Sequence, residues 1–224
     1  MIVYKLTRQD RTTRHGFKYP PKGSKLPELD GKGGLCSGGF YHGYVHPLLA
    51  ALHAPIHVDD DYTKMIEIEV REVYAPNQMK LGFTTGIIGK VIPLPKITDE
   101  QRKRYTIGCV CSVYQKKFFR RWANSWISGR DRSRRAASVV ASTVALDADW
   151  VDVSATRTTA STAAWSAAKA ACEVDWSTTK ATLSVARAAR AATFNKKDLD
   201  LIRIAKWAMT DEPLSELLEG RSDE

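Results

Sequence analysis

The chain has 224 residues, 43% of them hydrophobic, and a net charge of +9. That is long enough for one domain, or two small ones, with a proper buried core. The longest apolar stretches, such as Ile107 to Tyr114, fall far short of the ~20 residues a membrane span needs, so no membrane partner is expected.

The first element is a short extended run, Ile2-Val3-Tyr4-Lys5-Leu6, at a start that lacks the apolar region and cleavage site of a secretory signal. Pro20-Pro21-Lys22-Gly23 and Gly31-Lys32-Gly33-Gly34 then describe loop. A short helix is predicted from Pro47 to His53, with the proline in its first turn, where its missing N–H costs nothing. Asp59-Asp60-Asp61 forms a loop, and Met65 to Val73 alternates apolar and charged residues, the pattern of a strand with one buried face. A third extended piece covers Met79 to Phe83, and Pro93 and Pro95 punctuate the passage to a different kind of sequence.

Thr98-Asp99-Glu100-Gln101 is a capping box, a threonine with glutamine three residues on, and opens a helix. Ile107, Cys111, Tyr114, Phe118, Trp122 and Trp126 recur at steps of three or four, which predicts one long helix ending at Ser128-Gly129. Arg130 to Arg135 leads into the next. From Ala136 to Thr193 there are 19 alanines and neither proline nor glycine, and Asp149-Trp150 is echoed 26 residues later by Asp175-Trp176. Small alanines let helices approach closely, and Trp150, Trp165 and Trp176 would fill the seams of one or two long helices, which also offer a surface for self-association. A last amphipathic helix is expected to start at Asp198, with Leu199, Ile202, Ala205 and Met209 inward, and Glu216 to Glu224 to be a solvated tail.

The expected class is therefore α+β: a small mixed module over residues 1–97, a helical region over 98–212 and an acidic flexible tail over 213–224. The four cysteines, Cys36, Cys109, Cys111 and Cys172, show no framework of pairs. Reduced thiols in a cytoplasmic setting fit best.

Charge is concentrated rather than spread. Residues 99–135 hold 11 Lys/Arg against 3 Asp/Glu, or +8, whereas residues 1–98 give +4, 136–195 zero and 196–224 −3. Such a patch attracts polyanions, with Lys116, Lys117, Arg120, Arg121, Arg130, Arg132, Arg134 and Arg135 supplying phosphate contacts without sequence readout. A solvated helix face, or a patch neutralised by the acidic C-terminus, is the competing account. No recognised DNA- or RNA-reading motif accompanies the patch.

Other constellations carry less. His42, His46, His53 and His57 form two His-x3-His pairs, but Gly43, Pro47 and Pro55 interrupt them, so hydrogen-bonded structural histidines are expected instead of a metal site. Cys36 ahead of His42 suggests a thiol and base with no third group, and the glycine-rich loops match no P-loop or dinucleotide turn.

Leu35-Cys36-Ser37-Gly38-Gly39-Phe40-Tyr41-His42, leading to His46-Pro47-Leu48-Leu49-Ala50, resembles a module of phage and bacterial proteins. The run from Trp122 to Ser133 into an alanine-rich tail resembles their second half. That resemblance implies a phage or prophage context, in the host cytoplasm, and no particular activity. A first strand with Tyr4, a Gly-aromatic-aromatic-His segment and a following strand also resemble, remotely, the outline of ADP-ribosyltransferase-like folds. This implies an NAD-dependent enzyme acting on a host macromolecule, its pocket around Tyr4, Tyr41 and His42. Against that pattern, Glu67 and Glu69 fall inside a strand and no arginine or histidine is set on the first one in the family's form. The leading expectation is a non-enzymatic accessory protein, needing no cofactor, whose basic helix binds nucleic acid or an acidic protein surface.

Overall fold

A computed structural model describes residues 1–13, 16–35, 38–53, 62–74, 80–149, 164, 167–168 and 199–219. The tryptophan echo at 150–176, the acidic run 59–61, His57, Cys36 and Cys172 lie outside the described residues. The chain divides into two compact units, Met1–Lys96 and Ile97–Glu224.

In the first unit, β1 (Ile2–Arg8), β3 (Tyr62–Glu69) and β5 (Ile87–Ile92) form an antiparallel sheet in the order β1-β3-β5. A two-stranded ribbon of β2 (Tyr41–Gly43) and β4 (Leu81–Phe83) joins β1 through reciprocal bonds between Tyr4 and Tyr44, 2.8 and 2.9 Å. Strand β3 is central, so both its edges are paired, and both its faces are packed as well. Ile66 and Ile68 enter the main core with Val3, Leu26, Phe83 and Ile88, while Met65 packs on the other face with Leu6 and Ala50. Glu69 is exposed on that second face, and Glu67 lies 3.8 Å from Lys90.

The expected strand over Met65–Val73 is shifted. Pairing runs out at Ile2–Glu69, and the last bonds, from the Val70 N–H to the Met1 carbonyl and from the Met1 ammonium to the Val70 carbonyl, leave Arg71 to Val73 without a partner strand to extend the ladder. α1 (Pro47–Leu52) starts at its proline as expected, with the His46 Nδ1 accepting the Leu48 N–H at 3.2 Å as its cap.

In the second unit the capping box is present in both directions: Gln101 N–H to Thr98 Oγ1, 3.2 Å, and Thr98 N–H to Gln101 Oε1, 2.9 Å. It opens α2 (Asp99–Cys111), whose residues from Arg104 to Cys111 are all buried. The expected long helix is instead two. α2 ends at Cys111, where Ser112 turns its hydroxyl back onto the Gly108 carbonyl at 2.9 Å, and α3 (Lys117–Ile127) starts after an extended Lys116. Tyr114 stays buried in the break, its ring 5.5 Å edge-on to Phe119. The three-and-four spacing survived the break because a buried turn residue filled the missing step of the stripe.

Gly129, at φ +74°, closes α3 with a bond from its N–H to the Trp126 carbonyl, and the Ser133 hydroxyl caps α4 (Arg134–Asp149). α5 (Leu201–Ala208) starts at an Asp200 cap rather than at Asp198, and it buries Leu201, Ile204, Ala205, Trp207 and Ala208 in place of Ile202 and Met209. α6 (Leu214–Glu219) buries Leu214 and Leu217, so this stretch is packed where a solvated tail was expected from Glu216. α2 is the hub, touching α3, α5 and α6. Gly108 is the point of closest approach: a Cβ there would lie 2.9 Å from Ile204 Cγ2 and 3.0 Å from Leu217 and Trp207.

Candidate anion-binding face

Helix α3 is divided cleanly in two. Phe119, Trp122, Ala123, Trp126 and Ile127 are buried. Lys117, Arg120, Arg121, Asn124 and Ser125, at steps of three and four, hold the opposite side. Together with Arg130, brought round by the Gly129 turn, those five line an open hollow of about 590 Å³. Arg130 is steadied by a 3.1 Å bond from its Nε to the Ser128 hydroxyl. Arg120 is partly buried, and its Nε has no hydrogen-bond partner among the described residues.

Among the described residues, four cations therefore surround one hollow without a carboxylate in its lining. Two other hollows carry both signs. One of about 430 Å³ in the first unit includes Lys25, Arg71, Glu28, Glu69 and Glu72, and one of about 110 Å³ beside α2 includes Arg120, Arg203 and Asp200. Local electrostatics sharpen the contrast. Lys117 and Arg121 are an i,i+4 pair of like charge, which destabilises a helix by ~0.2–0.5 kcal/mol. Lys117 also stands in the first turn, beside the positive end of the helix dipole, with no acidic residue there and no side-chain cap on the end. Each of these penalties is relieved by an anion in the hollow.

The remaining basic residues separate. Lys116 is exposed just outside the lining, and Arg134 and Arg135 are exposed on the first turn of α4. Arg132 is committed to the fold. Its guanidinium bonds Glu100 at 2.6 Å, its Nε bonds the Trp126 carbonyl at 3.0 Å, and it lies 4.8 Å over the Trp126 ring. Asn124 and Ser125 went unnoticed in sequence; their spacing from Lys117 and Arg121 was the available signal.

Tyr4, Tyr41 and His42 do not converge on one pocket. Successive strand residues face opposite ways. Tyr41 points into the main core, its hydroxyl donating to the Pro27 carbonyl at 3.1 Å and its ring against Phe17 and Phe83. His42 meets the Leu35 carbonyl, and burial, with Lys80 and Lys5 nearby, pulls its pKa down to about 4. Tyr4 packs with the Leu6–Ala50–Met65 cluster. His46 caps α1, His53 is buried, and among the described residues no three His, Cys, Asp or Glu side chains gather as a metal would require. Burial pushes the Cys109 and Cys111 thiols up to about 12, which keeps both protonated and inert.

No family model, curated protein or solved structure matches the chain.

Proposed function

We propose that the protein is a non-enzymatic accessory protein that docks on an anionic partner through the exposed face of α3. The observation that carries this reading is the hollow lined by Lys117, Arg120, Arg121 and Arg130 with no acidic residue among the described residues of its walls. A merely solvated helix face would be expected to intersperse both signs, as the other hollows do. The phage or prophage setting of such an accessory role rests on the sequence resemblance alone.

The test is a binding titration of the intact chain against a panel of polyanions at several salt concentrations, beside a variant with all four cations changed to glutamine. Four neutralised phosphates give a slope of log K on log salt of about −3.6, which is a loss of roughly 150-fold between 50 and 200 mM. The fourfold variant is expected to bind weakly with a nearly flat salt response. An unchanged slope in that variant removes the α3 face from the account.

A further inference from the structure

We infer that the anion this face accepts is the sugar-phosphate backbone of double-stranded nucleic acid, laid across it without regard to sequence. This rests on the anion-docking reading above and names the partner for it.

Three features of the lining select that partner. The first is that, among the described residues, no apolar side chain lines it: all six are Lys, Arg, Asn or Ser. A protein partner needs a desolvated centre with aromatic or aliphatic anchors, and the polar rim alone contributes little. The lining carries its charge on the tips of Lys and Arg stems, with no aromatic or branched aliphatic anchor among them, which suits a partner that offers charge at regular intervals. Its groups are matched as well, since every lining side chain can donate a hydrogen bond and phosphate oxygens only accept.

The second is the absence of an aromatic platform. Single-stranded nucleic acid is held largely by stacking its bases on exposed rings. On α3, Phe119, Trp122 and Trp126 are all buried, and Phe118 sits edge-on to Tyr114 at 6.2 Å. Among the described residues, no ring lines the hollow.

The third is shape. A helix that reads base edges must protrude into a groove. Here the cations flank a wide, shallow depression that projects nothing into a groove, and such a surface suits a backbone laid across it. The length is suitable too. From residue 117 to residue 125 the helix rises about 12 Å, and one strand of duplex presents a phosphate every ~3.4 Å along its axis, so roughly three to four phosphates lie within reach of four cations.

The experiment is fluorescence anisotropy with the full chain at 50–200 mM salt. The probes are two 20-base-pair duplexes of unrelated sequence, the corresponding single strand, and polyglutamate. The expected result is equal affinity for the two duplexes with a slope of about −3.6, and at least tenfold weaker binding of the single strand and of polyglutamate. Lys117→Gln with Arg121→Gln should halve the slope to about −1.8; both side chains are exposed, and a circular-dichroism melt checks that the variant is folded. Single strand bound as tightly as duplex, a tenfold preference for one duplex, or polyglutamate bound as tightly as DNA overturns the inference. If polyglutamate binds tightly and the double variant abolishes it, the anion-docking reading stands and the duplex assignment falls. If no polyanion binds at 50 mM salt, both fall.

Discussion

Changing Lys117 to glutamate should strengthen the fold while weakening the docking face. In the free protein Lys117 is exposed in the first turn of α3, where the helix carries partial positive charge and no acidic residue offsets it. Reversing that charge replaces an unfavourable dipole interaction with a favourable one, each worth ~0.3–1 kcal/mol at an exposed site. It also turns the repulsion of Lys117 and Arg121 into an attraction in the preferred orientation, acid before base at i,i+4, each state worth ~0.2–0.5 kcal/mol. Screening trims the sum, so a gain of about 1–2 kcal/mol is expected at low salt, shrinking in 1 M salt where the Debye length is only ~3 Å. For a unit of this size that is a rise in Tm of several degrees. Urea melts of wild type and variant at two salt concentrations measure it, and the same samples should lose polyanion affinity. A variant that is less stable at low salt would refute the reasoning, because Lys117 would then be held by the fold instead of being kept free for a ligand.

Three further outcomes are expected. Gly108→Ala gains ~1 kcal/mol of helix propensity but drives a methyl to within 3.0 Å of Ile204, Leu217 and Trp207, and overpacking costs ~1–3 kcal/mol; a lowered Tm is expected, and a raised one would mean that α2, α5 and α6 pack more loosely there. His53 is 3% exposed, and burial lowers its pKa from 6.5 to about 4. The unfolded chain therefore takes up the proton first as pH falls, so the contribution of His53 is constant above pH 6.5 and is lost between 6.5 and 4 by up to about 3 kcal/mol, while His42, lowered to about 4 as well, adds its own loss over the same window. His53→Leu should make that decline shallower in urea melts at stepped pH, leaving the part that belongs to His42, and an equally steep decline would assign it to other groups. Arg132→Gln should cost about 1 kcal/mol, through the Glu100 and Trp126 contacts, and leave the salt slope of binding unchanged. A slope smaller by ~0.9 would return Arg132 to the docking face.

The parts of this fold legible in sequence were those set by local chemistry. Thr98 and Gln101 cap α2 because capping is decided within four residues, and Pro47 opens α1 for the same reason. β5 was missed although Ile87, Ile88, Val91 and Ile92 are strand-forming, since Gly89 breaks the alternation and a bulge shifts its register against β3. β2 has only three residues and exists through its pairing with β4, which no short window reveals. At the candidate site, the charge run pointed to α3, whose exposed face lines the hollow. It could not distinguish Arg130, which the positive φ of Gly129 swings to the hollow, from Arg132, two residues on, which turns to Glu100. Nor could a Tyr-His dipeptide announce that its two rings serve opposite faces of one strand.

The five-residue break between α2 and α3 bears on how the chain tolerates change. In an uninterrupted helix, one inserted residue would rotate everything downstream by about 100° and swing the cations of α3 toward the interior. With the break in place, α3 takes its angular setting from its own apolar side, Phe119, Trp122 and Trp126, whatever the length of the connection. Gln115 and Lys116 are exposed there, while Tyr114 anchors the turn from beneath. The connection thus works as a rotational clutch: residues can be gained or lost at 115–116 while the core of each helix, and the direction in which the basic face looks, stay as they are.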